Sequence, residues 1–424
     1  MTSVLVQMNR LGLGGTEINA IQFAAGVREF GYESHLYGPS DTVPDGPSAI
    51  DVAREYGIEI KTFERPSTAV AAARTMNDLA REVSADIVHV YGQDAVRGAY
   101  LGPCAFGRRP LVITAYEMAV NPTTLAGAPL IVGTRYLEED HAARAGRTTL
   151  ISPPIDTARD RPDVAARHRF RASVEFTEDT VVIGWVGRLD EGMKSPALRA
   201  LIAAVDVLAS EGRDVVLAIV GTGDAETDLR SLGAEVDTRH ARRIIRFLGP
   251  VSDPHEAYAG ADVSVGMGSS AGRALAHATP LVAVGERGWS APFTETGADA
   301  IFRNSFWSDE LVSNPVALLA SHLRLLVDDP STRARRAVFG REFALDHLSL
   351  PRMTERLADV YRDAGRAYGM RGWMVDVDLE IYAIREIVRT SILHRPPREG
   401  AGEYRFPAAA VPRLRARAAE NGAP

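Results

Sequence analysis

Cysteine and lysine are almost absent from this 424-residue chain. Cys104 is the single cysteine, so the chain forms no internal disulfide and no cysteine-rich metal site. That usage fits a reducing compartment, and we expect the protein to be cytoplasmic. The ten histidines show no ligand-like spacing with carboxylates, so the sequence predicts no metal site. Of the 48 basic residues only Lys61 and Lys194 are lysines, and the others are arginines.

Three further absences narrow the class of protein. The net charge of −7 argues against a nucleic-acid-binding protein, which would carry a basic surface. No apolar run reaches the roughly 18 residues needed to span a bilayer. No charged-then-apolar leader is expected, because residues 1–3 run directly into a short strand. The composition is otherwise that of a globular protein, and the length predicts two to three domains.

Strands and helices alternate through the first 150 residues. An apolar strand at residues 3–8 leads into a glycine-rich loop at 9–15, and Thr16 is expected to N-cap the helix that follows. Alternating strands and helices form a parallel sheet covered on both faces, so this half is predicted to be a doubly wound α/β domain. Later strands are predicted at 35–37, 60–63, 86–91, 111–114 and 130–133.

The pattern breaks at residues 151–156 and then restarts. Pro153 and Pro154 exclude a helix there, and the charged stretch 160–180 that follows is interpreted as a crossing into a second α/β domain. The chain becomes mainly helical after Trp307. We expect a first domain at 1–155, a second domain at 156–350, helices at 351–395 that pack back on the first domain, and a mobile Pro/Arg-rich tail at 396–424.

Arg188 and Lys194 flank the most informative loop. An apolar strand at 181–186 ends in Gly187-Arg188, and Lys194 follows six residues later, just before an amphipathic helix. Arginine offers a planar bidentate fork and lysine a compact point charge, and a helix start adds free N–H groups. This pattern is typical of a phosphate or diphosphate site, although a solvent-facing lysine is the alternative interpretation.

The loop Gly12–Thr16 is not the dinucleotide-binding fingerprint. The G-x-G-x-x-G pattern requires glycine at position 17, which is Glu17. Its small residues would let a ligand approach the backbone closely, and a plain strand-to-helix turn is the alternative.

Several short motifs follow one another in a fixed order along residues 3–370. They are Gly14-Gly-Thr-Glu17, Asp86-Ile-Val-His89, Ile151–Asp156, Gly187-Arg-Leu189 with Lys194, Val220–Gly223, Phe247-Leu-Gly249, Ala261-Asp262 and Arg273–Ala276 with Pro280. In this order they resemble the retaining GT-B glycosyltransferases of glycosyltransferase family 4. The resemblance implies two Rossmann-like domains that face each other across a cleft, with extra C-terminal helices.

The resemblance also implies roles for individual residues. Arg188 and Lys194 would hold the donor diphosphate and stabilise the charge that grows on it as the sugar leaves, without a metal or other cofactor. The other donor-binding residues would be Gly14, Gly15, Gly187, Gly221, Gly223, Leu248, Gly268, Ser269, Ser270 and Arg273. The acceptor or sugar would contact Thr16, Glu17, Tyr91, Tyr116 and Glu117.

Two departures from the family pattern stand out. The family's two glutamates, which have seven residues between them, are missing, because Arg273 occupies the second position and Val265, eight positions earlier, occupies the first. Arg273 would be a third cation on the donor, or pair with Glu286 or Asp190, or face solvent.

Many relatives have His followed by Asp where this chain has Tyr116 and Glu117, so one of these two would replace the histidine. His89 is interpreted as a partly buried strand-end histidine rather than a catalytic base.

The leading hypothesis is a retaining glycosyltransferase that moves a sugar from a UDP- or GDP-sugar to a small-molecule acceptor in bacterial antibiotic biosynthesis. A role in cell-envelope polysaccharide synthesis stays open. The alternatives are a pseudo-glycosyltransferase or nucleotide-sugar epimerase on the same fold, and a non-catalytic nucleotide-sugar-binding subunit. The amphipathic segment 374–393 is a candidate homodimer surface.

Overall fold

The computed structural model describes residues 1–92, 95–121, 124–251, 253–378, 380, 381 and 385. The chain divides into two compact units. The first unit consists of Met1–Pro154 and the segment from Met353 onwards, and the second unit is Ile155–Arg352. The predicted tail at 396–424 and most of the amphipathic segment 374–393 lie outside the described residues.

The first unit is built on a seven-stranded sheet in which every strand pairing is parallel. Its strands are β1 (Thr2–Gln7), β2 (Tyr32–Pro39), β3 (Ile60–Phe63), β4 (Ile87–Tyr91), β5 (Leu111–Ala115), β6 (Leu130–Val132) and β7 (Thr148–Leu150). Its helices up to Pro154 are α1 (Gly15–Gly26), α2 (Ala49–Glu55), α3 (Ala69–Glu82), α4 (Val96–Leu101) and α5 (Arg135–Asp140), with short 3-10 helices at Val27–Phe30, Ser40–Thr42 and Ala105–Gly107. The strand order is β3-β2-β1-β4-β5-β6-β7.

The second unit has a six-stranded sheet with the order β10-β9-β8-β11-β12-β13, in which β13 alone runs antiparallel to its neighbour. Its strands are β8 (Val181–Val186), β9 (Val215–Val220), β10 (Ile245–Gly249), β11 (Val263–Gly266), β12 (Leu281–Val284) and β13 (Ser290–Pro292). Its helices are α6 (Val164–Ser173), α7 (Ser195–Ser210), α8 (Glu226–His240), α9 (His255–Gly260), α10 (Ser269–Ala276), α11 (Ala298–Arg303), α12 (Pro315–Asp328) and α13 (Pro330–His347).

The core of the second unit explains why these segments adopt this order. Strands β8 and β9 are nearly continuous runs of valine, isoleucine, leucine and alanine, as expected for strands that are covered on both faces. Helix α7 buries Leu198, Leu201, Val205 and Leu208 in the same core, at the spacing of one helix face. The predicted α/β fold class is confirmed in both units.

Helices α14 (Leu350–Ala367) and α15 (Met370–Val375) close the described chain. Helix α14 is strongly amphipathic, and its buried face includes Met353, Leu357 and Tyr361. The Tyr361 hydroxyl lies 2.7 Å from Nδ1 of His89 on β4, so this face contributes to the core of the first unit. No described helix is long and apolar enough to cross a bilayer.

One sequence-based expectation about local structure is wrong. Helix α1 begins at Gly15 with Gly14 as its N-cap, so Thr16 lies inside the first turn instead of capping it. The charged stretch 160–180 contains helix α6, which starts at the side-chain cap of Asp163. Its Arg171 is buried and donates to the Asp262 carboxylate at 3.0 Å, so part of this charge is internal to the fold.

Candidate functional site

The strand order of the second unit places two loops at one switch point. Strands β8 and β11 are neighbours, but the chain leaves them in opposite directions along the sheet. In open α/β sheets a ligand binds outside the carboxyl ends of the strands at this reversal. The loops that begin here are Gly187–Lys194 after β8 and the turn after Gly266.

The backbone fixes Arg188 between two anchored neighbours. The Gly187 N–H donates to the Val220 carbonyl at 3.0 Å, and the Leu189 N–H donates to the Thr222 carbonyl at 3.0 Å. The Leu189 side chain is fully buried, whereas Arg188 is exposed. The guanidinium therefore projects from a rigid strand end.

Asp190 sets the start of helix α7 and thereby the position of Lys194. One Asp190 carboxylate oxygen accepts from the backbone N–H of Met193 at 2.9 Å and of Lys194 at 3.2 Å. The Ser195 N–H donates to the Asp190 carbonyl at 2.9 Å. Lys194 is the N-cap residue, so its ammonium is attached at the positive end of the helix dipole.

The Lys194 ammonium is partly desolvated and has no acidic partner. Burial lowers its pKa from the ordinary value, the nearby Arg188 lowers it further, and Asp190 opposes the shift. Among the residues that the structure describes, neither Arg188 nor Lys194 has a carboxylate within ion-pair distance. The other lysine, Lys61, lies 2.7 Å from Glu82. An unpaired cation that is half-buried favours an anionic ligand.

Gly187 leaves room for this cation. A Cβ added at Gly187 would lie 3.3 Å from Nζ of Lys194 and 3.6 Å from Nε1 of Trp185. The Trp185 Nε1 is buried and has no acceptor among the described residues. An ammonium and an unsatisfied indole N–H thus lie beside one glycine, and both can donate to an anion.

Gly221 and Gly223 are explained by packing within the protein. A Cβ on Gly221 would collide with the Gly187 carbonyl oxygen, and Gly221 has a φ of +142° that favours glycine. A Cβ on Gly223 would likewise collide with the Leu189 backbone. These glycines hold the loop after β9 against the loop after β8, and their predicted contact with a donor stays a prediction. Leu248 is partly buried against the core.

The turn into helix α10 presents small polar residues. Gly268 is the N-cap with φ +60° and ψ −137°, a conformation that is essentially confined to glycine. Ser269 is exposed, and the Ser270 hydroxyl donates to the Met267 carbonyl at 2.9 Å. This turn follows β11 at the switch point, so it lies on the same edge of the sheet as the β8 loop.

Arg273 pairs with Asp160, which the sequence did not indicate. Its Nε donates to one Asp160 oxygen at 2.8 Å and its Nη2 donates to the other at 2.7 Å. The expected pairing with Glu286 or Asp190 is therefore wrong. The guanidinium also lies 5.3 Å from the centre of the Tyr258 ring. Two of its three nitrogens are occupied, and its predicted role on the donor stays a prediction.

The glycine-rich loop of the first unit holds a buried carboxylate. Glu17 is 6 % exposed, and burial raises its pKa despite Arg10, whose Nε lies 3.7 Å away. A Cβ at Gly14 would collide with the Glu17 carboxylate. Gly15 is exposed and Thr16 is half-buried. The loop follows β1, which borders the switch point between β1 and β4 in this sheet.

The three remaining predicted residues differ in exposure. Tyr91 ends β4 and is 3 % exposed, and burial raises its pKa. The Tyr116 hydroxyl is buried without a partner among the described residues, whereas Glu117 is exposed. His89 is fully buried, and burial lowers its pKa to about 3. Its Nε2 lies 2.7 Å from the Thr114 hydroxyl. The expected partial burial of His89 is therefore wrong, and the interpretation that it is not a catalytic base stays a prediction.

A pocket in the first unit adds polar residues that the sequence analysis missed. It lies beyond the carboxyl ends of β1 to β3, and Gln7, Asn9 and Arg65 are among its lining residues. The side-chain oxygens of Gln7 and Asn9 are buried without a donor among the described residues. Arg65 pairs with Asp41 at 2.9 Å. No motif marks these residues, and only the strand order brings them together.

Histidines and carboxylates also come together, although their sequence spacing gave no sign of it. Asp160, His255 and His277 each place one potential ligand atom within 4.8 Å of the other two. They lie in three separate segments of the second unit, so no short motif contains them.

Comparison with known proteins relates this arrangement to sugar transfer. Residues 180–326 match the family model of glycosyl transferases group 1. No curated protein sequence matches the chain.

Solved structures share the fold of the chain. A glycosyltransferase from Rickettsia africae is 14 % identical with a TM-score of 0.67, covering 86 % of this chain and 98 % of its own. Anabaena HepE in complex with UDP is 20 % identical with a TM-score of 0.66, covering 86 % and 100 %. HepE with UDP-glucose is 17 % identical with a TM-score of 0.62, with the same coverage. These similarities show two Rossmann-like bodies of the kind found in GT-B glycosyltransferases.

Proposed function

We propose that this protein is a glycosyltransferase that binds a nucleoside-diphosphate sugar through the β8 loop of its second unit. The observation that carries the proposal is the presence of two cations, Arg188 and Lys194, at the switch point of that sheet. Neither cation has a carboxylate within ion-pair distance among the described residues. The family match spans this loop, and the HepE structures contain UDP and UDP-glucose.

The chemistry follows from the charge of the leaving group. Negative charge grows on the diphosphate as the glycosidic bond breaks, and preplaced cations stabilise that charge without reorganising. Lys194 supplies a partly desolvated ammonium at the positive end of helix α7, and Arg188 supplies a guanidinium that can donate two parallel hydrogen bonds. In this proposal the reaction retains the anomeric configuration, because the acceptor attacks on the face of the leaving group and a diphosphate oxygen takes its proton.

The acceptor side of the proposal rests on the first unit. The pocket lined by Gln7, Asn9 and Arg65 offers amide and guanidinium groups that suit a hydroxylated small molecule. A small acceptor in bacterial natural-product assembly agrees with this chemistry. The predicted contacts of Thr16, Glu17, Tyr91, Tyr116 and Glu117 belong to the same proposal.

A second candidate is donor binding without transfer. It is favoured by Arg273, which stands where the family resemblance places a glutamate and whose guanidinium is engaged by Asp160. Loss of that carboxylate removes a group that would accept hydrogen bonds from donor hydroxyls. A binding subunit or a pseudo-enzyme would keep Arg188 and Lys194 and lose turnover.

Nucleotide release tests the two candidates. Purified protein is incubated with UDP- and GDP-sugars, with and without a bacterial metabolite extract, and freed UDP or GDP is measured. We expect acceptor-dependent release that falls at least about 100-fold in Arg188→Ala, because a charged contact that strengthens in the transition state is lost.

Arg199→Ala is the matched control, since Arg199 lies on helix α7 and has the carboxylates of Glu191 and Asp228 at 3.6 Å. Calorimetry with UDP and GDP accompanies the assay. Donor binding that needs Arg188 but never yields free nucleotide supports the second candidate. If no nucleotide binds and Arg188→Ala changes nothing, both candidates fail.

A further inference from the structure

Three side chains from separate segments of the second unit meet near the end of helix α10. Asp160 precedes helix α6, His255 opens helix α9 and His277 follows helix α10. Asp160 is 4 % exposed and His277 is 4 % exposed, while His255 is partly buried. Their potential ligand atoms all lie within 4.8 Å of one another.

Hydrogen bonding fixes which ring nitrogens carry protons. Nδ1 of His277 lies 2.9 Å from the Arg273 carbonyl oxygen, which can only accept, so Nδ1 carries the hydrogen. Nε2 of His255 lies 3.3 Å from an oxygen of the Asp163 carboxylate, so Nε2 carries the hydrogen there. The lone pairs left over are those of His277 Nε2 and His255 Nδ1.

These two lone-pair nitrogens face each other at 3.0 Å. Two acceptors repel at this distance unless a proton or a metal ion lies between them.

The alternative to a proton is a cation held by both rings. An Asp160 oxygen lies 4.0 Å from Nε2 of His277 and supplies a third ligand atom. Two imidazole nitrogens and one carboxylate oxygen form a set that zinc takes at roughly 2.0–2.2 Å, with a fourth position left for water.

The groups around the rings are those that support metal ligands. A metal-binding histidine donates its other N–H to a carboxylate or a carbonyl, which orients the ring and raises its basicity. Asp163 does this for His255, and the Arg273 carbonyl does it for His277.

The charges around the cluster balance. The carboxylates of Asp160, Asp163 and Asp253 equal in number the guanidiniums of Arg159, Arg273 and Arg341, the last of which donates to the Asp160 carbonyl at 2.9 Å. Arg273 uses one lone pair of each Asp160 oxygen, and the second lone pair of each stays open to another cation.

We propose that Asp160, His255 and His277 bind one divalent transition-metal ion of the zinc type. The ion would join the segment before helix α6 to helix α9 and to the end of helix α10. This proposal is independent of the glycosyltransferase proposal.

Zinc binding to the intact, tag-free chain tests the site. Protein stripped with EDTA is titrated with Zn²⁺ in competition with a chromophoric chelator, and bound metal is measured after desalting. We expect one zinc per chain and a rise of the melting temperature with zinc. His255→Ala should weaken binding at least about 100-fold, because one of three ligands is lost.

Asp163→Asn tests the orientation of the ring separately. An asparagine keeps the cap of helix α6 through its oxygen but presents an N–H to His255, so zinc affinity should fall about 10- to 100-fold. His240→Ala is the matched control, since His240 pairs with Asp206 at 2.7 Å without a second imidazole, and zinc binding should be unchanged.

One result would overturn the zinc-site proposal. Wild-type protein that takes up no more zinc than His255→Ala, with both proteins folded by circular dichroism, would overturn the proposal. In that case a proton and not a metal ion lies between the two ring nitrogens.

Discussion

Replacing Lys194 with methionine isolates the ammonium from the rest of the loop. Methionine keeps an unbranched side chain of similar length and removes only the charge. The backbone contacts that start helix α7 come from Asp190 and not from the lysine side chain, so they persist. The expected result is weaker binding of the donor nucleotide by a protein whose fold is unchanged.

The magnitude follows from the burial of the ammonium. A hydrogen bond to a charged group contributes about 1.5–3 kcal/mol, and each 1.4 kcal/mol is a factor of ten in affinity. Lys194 is partly shielded from water, so salt screens its contact with a diphosphate less than the contact of the exposed Arg188. We therefore expect the Kd for UDP or GDP to rise about 10- to 100-fold.

The burial of the Lys194 ammonium also predicts that Lys194→Met does not lower the stability of the fold. An ammonium that is desolvated without an acidic partner opposes folding at neutral pH, so its removal should leave the melting temperature unchanged or higher. Because the folded pKa lies below the ordinary 10.5, this opposition to folding fades as pH rises from the folded pKa towards 10.5. Nucleotide affinity of the wild type should fall over the same pH range, and that of Lys194→Met should not.

Isothermal titration calorimetry with UDP and GDP measures the effect, and differential scanning fluorimetry checks the fold. Arg199→Ala serves as the control for loss of a cation from the same helix. A Kd for Lys194→Met within twofold of the wild type, with nucleotide bound to both proteins, would refute the assignment of Lys194 to the diphosphate.

Two further predictions concern stability. Arg171→Met removes the buried partner of Asp262 and the donor to the Gly260 and Thr180 carbonyls, although Arg167 still pairs with Asp262 at 2.9 Å. It should lower the free energy of unfolding by about 3–5 kcal/mol in urea titrations, whereas Arg169→Ala, at an exposed pair, should be indistinguishable from the wild type. Burial raises the pKa of Asp376 to about 6 from 3.8, so ionisation of this carboxyl opposes folding. When the pH rises from 4.5 to 7.5, the free energy of unfolding of the wild type should fall by about 2 kcal/mol more than that of Asp376→Asn. An equal fall in both proteins would contradict this assignment.

The sequence was most informative where structure depends on neighbours along the chain. The alternation of apolar strands and amphipathic helices predicted both α/β sheets, because each element buries a face that its own periodicity reveals. Local patterns do not reveal that Arg171, inside the charged stretch 160–180, is buried. Arg171 is buried because Asp262, 91 residues away, neutralises it, and no local pattern records such a partner.

The candidate site shows the same division between local and distant contacts. Arg188 and Lys194 lie in one loop, so a strand end, a spacing of six residues and a helix start were enough to single them out. The pocket in the first unit brings together Gln7, Asn9 and Arg65. These residues lie close together because the carboxyl ends of β1 and β3 are at the same edge of one sheet. Arg273 was noticed as a departure, but its partner Asp160 is 113 residues away and could not be identified.

The pairing of Arg273 with Asp160 also disfavours a carboxylate at position 273. A carboxylate at position 273 would stand beside the buried Asp160 and leave two negative charges without the guanidinium that now neutralises one of them. Two adjacent buried carboxylates cannot both stay ionised at little cost. The charge of Arg273 and the charge of Asp160 therefore stabilise each other inside the fold. His255 and His277 lie beside this pair. Arg273 is thus paired inside the second unit, whereas Arg188 and Lys194 have no carboxylate within ion-pair distance among the described residues.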